Sequence, residues 1–191
     1  MRCKARTMFK FAMRHKPVKC GLKMWVIADA QTGYVYRCAL DDKRMDGPGS
    51  KIHRWVMHLA KEIKGEHRVM YADNLFPSTK TFTALAKLGI LAAGTLRGRT
   101  QVGPSSFINK ANLDRLLPKA GGLGKWLVAY AQPSYFLYVW RDSKACSFLS
   151  TATPPAHTDI PRIVKETGEM VNRGGPVAAS LYNSFMEGVD K

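Results

Sequence analysis

The sequence has no run of about 18 apolar residues, the minimum for a membrane-spanning helix, so no membrane span is expected. It also lacks a zinc-binding pattern. The cysteines are widely scattered, with no Cys-x-x-Cys pair and no histidine at the spacing that would complete a zinc site; they are Cys3, Cys20, Cys38 and Cys146. His53 and His58 are five residues apart, more than one helical turn, which favours helix-surface residues over metal ligands. We expect a globular protein with reduced thiols.

Acidic residues are scarce. The chain has 14 Asp and Glu against 30 Lys and Arg, giving a formal net charge of +16. Residues 1–23 contain no acid at all, and their basic residues are Arg2, Lys4, Arg6, Lys10, Arg14, Lys16, Lys19 and Lys23. Such a segment indicates a polyanionic partner, most simply nucleic-acid phosphate. The alternative is a solvated basic tail with no specific ligand. An anionic membrane fits less well, because no basic amphipathic helix is evident.

Residues 67–89 predict a strand, a turn and a helix. The alternating run 67–72 ends at Asp73-Asn74, and Ser78 then offers an N-cap for a helix that Gly89 can close. A carboxylate at the carboxyl end of a core strand stands where α/β sheets usually hold their ligands. Asp73 is therefore a candidate site residue. The alternative is that Asp73-Asn74 is only turn chemistry.

The remaining pattern predicts an α/β protein with a mixed sheet and flanking helices. Strands are expected at 21–30, 34–40, 90–96, 126–131, 135–140 and 146–151, and helices at 51–64, 109–117 and 177–187. Residues 160–172 are polar and have no assignable pattern. Since 191 residues suffice for one domain, we expect a basic N-terminal segment, 1–23, followed by a single domain, 24–191.

Six motifs in collinear order resemble the transposase domain of the piggyBac family. Residues 16–25 are similar to its Lys-Pro-x-Lys-x-Gly-x-Lys-x-Trp segment, and residues 73–78 to its Asp-Asn-x-Phe-x-Ser segment. Gly94 to Arg99 match its Gly-Thr-x-Arg segment with one residue fewer between the arginines. The last three motifs are Trp140-Arg141-Asp142, Ser150-Thr151 and the closing Tyr182-Asn183, Met186 and Gly188-Val189-Asp190.

The resemblance implies an RNase H-like fold and descent from a DDE-type enzyme that cuts and joins DNA strands. Such chemistry uses two divalent ions, Mg²⁺ in the parent family, about 4 Å apart and held by several carboxylates. The resemblance makes Asp73 the second acid and Asp190 the third. The family's first acid, on the first core strand, and a further Asp three residues beyond Gly-Val-Asp do not fall within residues 1–191. We therefore expect a truncated, RNase H-like sheet lacking its first core strand, with catalysis lost and no metal bound.

Other acids could in principle stand in, but Asp29, Asp41 and Asp42 follow the pattern of turn and loop acids. The expected partner is DNA, held by phosphate contacts from Arg97 and Arg99 together with Lys4, Arg6, Lys16, Lys19 and Lys23. The resemblance also implies a possible homodimer, and ancestry and the basic start predict a nuclear location. Two alternatives remain open: a non-enzymatic nucleic-acid-binding protein, or a fragment of a complete active transposase.

Overall fold

A computed structural model describes residues 7, 9–12, 20–41, 46–65, 67–96, 110–131, 135–164 and 167–189. The chain divides into two compact units. The first contains residues 1–62 and 188–191, and the second contains residues 63–187.

The first unit contains two antiparallel strand pairs and one helix. Strand β1 (Lys10–Ala12) pairs with β2 (Cys20–Leu22), and β3 (Met24–Ala28) pairs with β4 (Val35–Leu40). Helix α1 (Lys51–Ala60) continues into a 3-10 turn, Lys61–Ile63. The predicted strand 21–30 is thus split in two, and the predicted helix 51–64 is confirmed as an α-helix with a tighter last turn.

Helix α1 forms because its apolar residues lie on one stripe and its first turn is capped. The Ser50 side chain accepts a hydrogen bond from the His53 backbone N–H at 3.2 Å, which satisfies one of the free N–H groups at the helix start. The apolar stripe meets β3 through Trp55, whose ring stacks on Trp25 with centroids 5.6 Å apart. Both tryptophans are buried, and they form the centre of this unit.

The second unit is built on a five-stranded mixed sheet in the order β5, β6, β9, β8, β7. Its strands are Val69–Ala72 (β5), Leu91–Leu96 (β6), Trp126–Ala131 (β7), Tyr135–Arg141 (β8) and Ala145–Ser150 (β9). Strands β5 and β6 are parallel and are joined by helix α2 (Thr79–Lys87); every other pair is antiparallel. Helix α3 (Lys110–Leu116) precedes β7.

A two-stranded ribbon and a last helix follow the sheet. Strands β10 (His157–Ile163) and β11 (Met170–Pro176) pair over their full length, and helix α4 (Val177–Phe185) follows directly. The ribbon occupies the stretch 160–172, to which the sequence pattern assigned no structure. Pro161 lies within β10, where it is tolerated because β10 pairs with β11 alone among the described strands.

Both faces of the five-stranded sheet are covered. On one face, Tyr138, Trp140 and Phe148 pack against α4 and Ile160 of the ribbon. On the other, Val139 packs against Leu113 and Leu117 from the α3 region. The predicted mixed sheet with flanking helices is confirmed. Among the described strands, β5 stands at one edge of this sheet, and β3–β4 form a separate two-stranded sheet.

Candidate active-site edge of the sheet

Asp73 lies where the sequence pattern predicts it, directly after β5. Its side chain is exposed, and Oδ1 accepts a hydrogen bond from the Asn74 backbone N–H at 2.6 Å. Its backbone carbonyl accepts from the Phe76 N–H at 3.0 Å, which closes the turn. Asp73 therefore stabilises the turn, as the alternative interpretation of Asp73-Asn74 expects. It also presents a carboxylate to solvent at the carboxyl end of the parallel pair.

Gly94 permits the close backbone approach that holds this turn. It pairs with Ala72 in the parallel register of β5 and β6. A Cβ at position 94 would lie 2.6 Å from Cγ of Pro77 and would also collide with the carbonyl oxygen of Ala72. Any side chain here would push the Asp73 turn away from β6, so glycine in this motif is explained by packing.

Helix α4 reaches the same edge of the sheet. The Phe185 ring packs on Tyr71, one residue from the end of β5, with centroids 5.2 Å apart. The Tyr182 hydroxyl lies 3.5 Å from the Thr95 hydroxyl on β6, and its ring contacts Phe148. The last turns of α4 thus lie beside the two strands whose ends frame Asp73.

The pKa of Tyr182 reflects both its burial and the charges at this edge of the sheet. Burial raises the pKa of its phenol, the hydrogen bond with Thr95 lowers it in part, and the nearby charge of Asp73 raises it further. The Asp73 carboxylate therefore lies close enough to Tyr182 for its charge to raise the pKa of the Tyr182 phenol. The strand carrying Asp73 and the helix that leads to Gly188 are neighbours.

The described residues do not by themselves make a divalent-metal site. Within the part of the chain that the structure describes, no three Asp, Glu, His or Cys side chains converge to hold a metal ion. At this edge they supply the Asp73 carboxylate, one of whose oxygens is engaged with Asn74. A pair of divalent ions needs several carboxylates, so no catalytic step can be assigned to the described side chains alone.

Most of the predicted site residues lie outside the described residues. These are Asp190, Arg97, Arg99, Lys4, Arg6, Lys16 and Lys19, together with Asp42. Asp29 is described, and it is the expected turn acid: its Oδ1 accepts from the Thr32 backbone N–H at 2.7 Å and from Gln31 at 3.1 Å.

Lys23, a predicted phosphate contact, is engaged within the first unit. Its Nζ lies 3.6 Å from Asp41 Oδ2 and 4.0 Å from the centre of the Trp25 ring. Lys51 pairs with the other oxygen of Asp41, whose side chain is buried. Asp41, expected to be a loop acid, is therefore a buried carboxylate between two lysines. The sequence gives no signal for this pairing, because Lys23 and Lys51 are 28 positions apart.

The Trp140-Arg141-Asp142 motif has a structural role that sequence reasoning missed. Trp140 Nε1 donates to the Gly174 carbonyl on β11 at 2.8 Å. Arg141, buried, donates to the Leu117 carbonyl and to Asp114 Oδ1. Asp142 forms ion pairs with Arg162 at 3.2 Å and Arg173 at 3.0 Å, one on each ribbon strand. Three consecutive side chains thus hold the ribbon and the α3 region on the sheet.

The fold is of the RNase H-like kind, a mixed sheet with flanking helices. It superposes on a piggyBac transposase solved by cryo-EM as a synaptic complex with hairpin DNA, with a TM-score of 0.75 and 22% sequence identity. The match covers 98% of this chain and 36% of the solved chain, so the present chain spans about a third of that transposase.

The family follows from the sequence as a whole. Residues 1–191 match the DDE transposase family described as Transposase IS4, and the chain belongs to that family. The piggyBac resemblance read from the motifs is confirmed by the structural match. The family is one of divalent-metal enzymes. Within the described residues, no helix has the length and apolar character needed to cross a membrane.

Proposed function

We propose that this chain forms part of the catalytic domain of a piggyBac-type transposase, in which Asp73 is one of the metal-binding carboxylates. One observation carries the proposal. Helix α4 packs against β5 and β6 through Phe185 and Tyr182, so the element preceding Asp190 lies next to the strand that ends at Asp73. The proposal requires Asp73 and Asp190 to converge on the same metal ions, and the packing of α4 on β5 and β6 supports it.

We further propose that the 191-residue chain by itself does not cleave DNA. Two carboxylates in a chain of net charge +16 are too few to hold two divalent cations against electrostatic repulsion. A purified preparation should not nick supercoiled plasmid in the presence of Mg²⁺ or Mn²⁺ above the level of an Asp73→Asn variant. Metal-dependent nicking that Asp73→Asn abolishes would contradict the proposed inactivity and would favour an active transposase fragment.

The second proposal is that DNA is the partner and is held by its phosphates. Its support is the excess of basic residues and the transposase family, which acts on DNA. Binding of a duplex of arbitrary sequence should weaken steeply as salt rises, because each neutralised phosphate releases a counterion. A slope near zero of log affinity against log salt would remove this proposal. A nuclear location and a homodimeric state accompany it as predictions.

A non-enzymatic role in nucleic-acid binding is the competing function, and the same two assays separate it from the first. Salt-dependent DNA binding that Asp73→Asn leaves unchanged, with no binding of Mn²⁺ to the chain, would favour a phosphate-binding protein. Mn²⁺ binding that is lost in Asp73→Asn would favour retention of the ancestral site. Mn²⁺ is a suitable probe because it accepts oxygen ligands and can be followed by its paramagnetic signal.

A further inference from the structure

Two indole N–H groups of the five-stranded sheet bond to the β10–β11 ribbon. Trp126 Nε1, at the start of β7, donates to His157 Nδ1, at the start of β10, at 3.1 Å. Trp140 Nε1, on β8, donates to the Gly174 carbonyl on β11 at 2.8 Å. A histidine nitrogen gains a proton in mild acid, whereas a backbone carbonyl does not. The two attachments should therefore respond differently to pH.

The bond from Trp126 fixes the protonation state of the His157 ring. An indole N–H is only a donor, so Nδ1 must carry a lone pair in order to accept it. The ring is then neutral, and its proton is on Nε2, the nitrogen that lies 4.0 Å from Asp159 Oδ1. Protonation of Nδ1 would place two N–H groups opposite each other, and the bond would be lost.

The His157 ring lies where the base of the ribbon meets the start of β7. Gly174 leaves room for it, because a Cβ at position 174 would lie 2.7 Å from Cε1 and 3.3 Å from Nε2 of the ring. Gly124, just before β7, lies against the same glycine: a Cβ at position 124 would be 3.2 Å from the Gly174 nitrogen. Loss of the bond from Trp126 would therefore remove a contact between these two segments.

Asp159 is the charged group that faces His157 along β10. The two side chains are 61% and 68% exposed, so the attraction between them is weak. It acts in favour of the protonated ring, because only that form is positive. Protonation thus replaces the indole hydrogen bond by an attraction toward the opposite side of the ring.

Among the described residues, the neighbouring elements direct their charges elsewhere. Arg173 on β11 is ion-paired with Asp142. Lys125 alternates with Trp126 and therefore projects from the opposite face of β7. Helix α4 has no charged residue over Val177–Phe185. The balance at this point is therefore set by the indole on one side of the histidine and the carboxylate on the other.

We propose that His157 and Trp126 form a pH-dependent latch between the ribbon and the sheet. Near neutral pH the uncharged ring accepts the indole N–H, and the base of the ribbon is held to β7. In mild acid the protonated ring turns toward Asp159, and this edge of the ribbon is released. Trp140 keeps its bond to Gly174, so the ribbon stays on the sheet through β11. The latch needs neither DNA nor a metal ion, so it is independent of the proposed function.

Solvent exchange of the indole N–H groups tests the latch, because each tryptophan gives its own signal in NMR spectra of the nitrogen-labelled 191-residue chain. Trp126→Phe identifies the signal of Trp126. Protection relative to free indole at the same pH is compared at pH about 7.5 and about 5, across the range where histidine titrates. The protection of Trp126 should fall about fivefold, the change that corresponds to one hydrogen bond of about 1 kcal/mol. The signal of Trp140 is the internal control and should change little.

Two variants identify the titrating group. His157→Phe keeps a ring but has no acceptor, so Trp126 should have the low protection at both pH values. His58→Asn is the matched control, because it removes a titratable histidine of the first unit and should leave the response of Trp126 unchanged. Equal protection of Trp126 at the two pH values, a parallel loss for Trp140, or a response that survives in His157→Phe would overturn the proposal.

Discussion

The hydroxyl oxygens of Tyr182 and Thr95 lie 3.5 Å apart, at the point where helix α4 crosses strand β6. The two residues are 87 positions apart in the chain. Their contact, together with the packing of the Phe185 ring on Tyr71, holds helix α4 beside the strand that ends at Asp73. The contact therefore holds helix α4 at the edge of the sheet where Asp73 is proposed to bind metal.

Replacement of Tyr182 separates the contribution of its ring from that of its hydroxyl. Tyr182→Ala should lower the free energy of unfolding by about 3 to 5 kcal/mol, because a buried ring in the core is lost and a cavity remains. Tyr182→Phe should cost about 0.5 kcal/mol, since only a long hydrogen bond is removed. Urea denaturation measures both. Tyr34, which is exposed, is the control: Tyr34→Phe should have almost no effect. Equal costs for the two Tyr182 variants would contradict the packing described.

Gly94→Ala tests the close approach at the Asp73 turn. The added methyl group would meet the Ala72 backbone as well as Pro77, and backbone cannot rotate away. We expect a loss of about 3 kcal/mol in the free energy of unfolding. Gly168 is the comparison, because its φ is +74° but nothing lies near its missing Cβ. Gly168→Ala should cost about 1 kcal/mol from backbone strain alone. A Gly94→Ala protein as stable as the original would show that the turn is looser than described.

Arg141 and Asp114 form an ion pair, and we expect Arg141 to contribute more to stability than Asp114. Arg141 is buried and satisfies the Leu117 carbonyl, whereas Asp114 is 42% exposed. Arg141→Met should destabilise the protein by about 2 kcal/mol, since a buried carbonyl loses its donor. Asp114→Asn should cost less than about 1 kcal/mol, because water screens an exposed charge. Thermal unfolding of the two variants checks the ranking, and a costlier Asp114→Asn would reverse the interpretation.

The first unit should lose stability in mild acid through His58. Burial lowers the pKa of this imidazole below 6.5, and the positive charges of Arg37 and Lys61 lower it further, while Glu62 opposes the shift. A lowered pKa means that the folded protein favours the neutral ring. The stabilisation is complete above pH about 6.5 and decreases as the pH falls through the folded-state pKa.

His58→Asn should remove this part of the pH dependence. The comparison is the unfolding midpoint of the original and the variant between pH about 8 and 5, within the range where histidine titrates. The two curves should converge as the pH falls. Parallel curves would show that His58 does not contribute to acid sensitivity.

Local signals made much of the fold predictable. The apolar stripe of α1 and Ser78 before α2 predicted both helices, and in the structure Ser50 and Ser78 each accept a hydrogen bond from a backbone N–H of the first turn. Gly89 closes α2 with a φ of +73°, as expected of a C-terminal glycine. Where capping and periodicity agree, the element follows from the nearby residues.

The ribbon could not be predicted, because its sequence has neither a clear periodicity nor local capping signals. Strands β10 and β11 are largely exposed or half-buried, contain polar residues at alternate and adjacent positions, and include Pro161. Their stability comes from partners elsewhere in the chain: Asp142 binds an arginine on each strand, and Trp140 bonds to Gly174. The same limit applies to the candidate site. The position of Asp73 follows from its own strand and turn, but its proximity to Tyr182 depends on the docking of a helix over 100 residues later.

The most direct test of the account is whether positions 73 and 190 are adjacent in the folded chain. Two carboxylates that share a pair of metal ions about 4 Å apart must lie within reach of a short thiol-to-thiol crosslinker. The experiment places cysteine at both positions in a background where Cys3, Cys20, Cys38 and Cys146 are replaced. Single-cysteine versions serve as controls. An efficient intramolecular crosslink is expected in the double variant. No crosslink, while each thiol reacts fully with a monofunctional reagent, would contradict it.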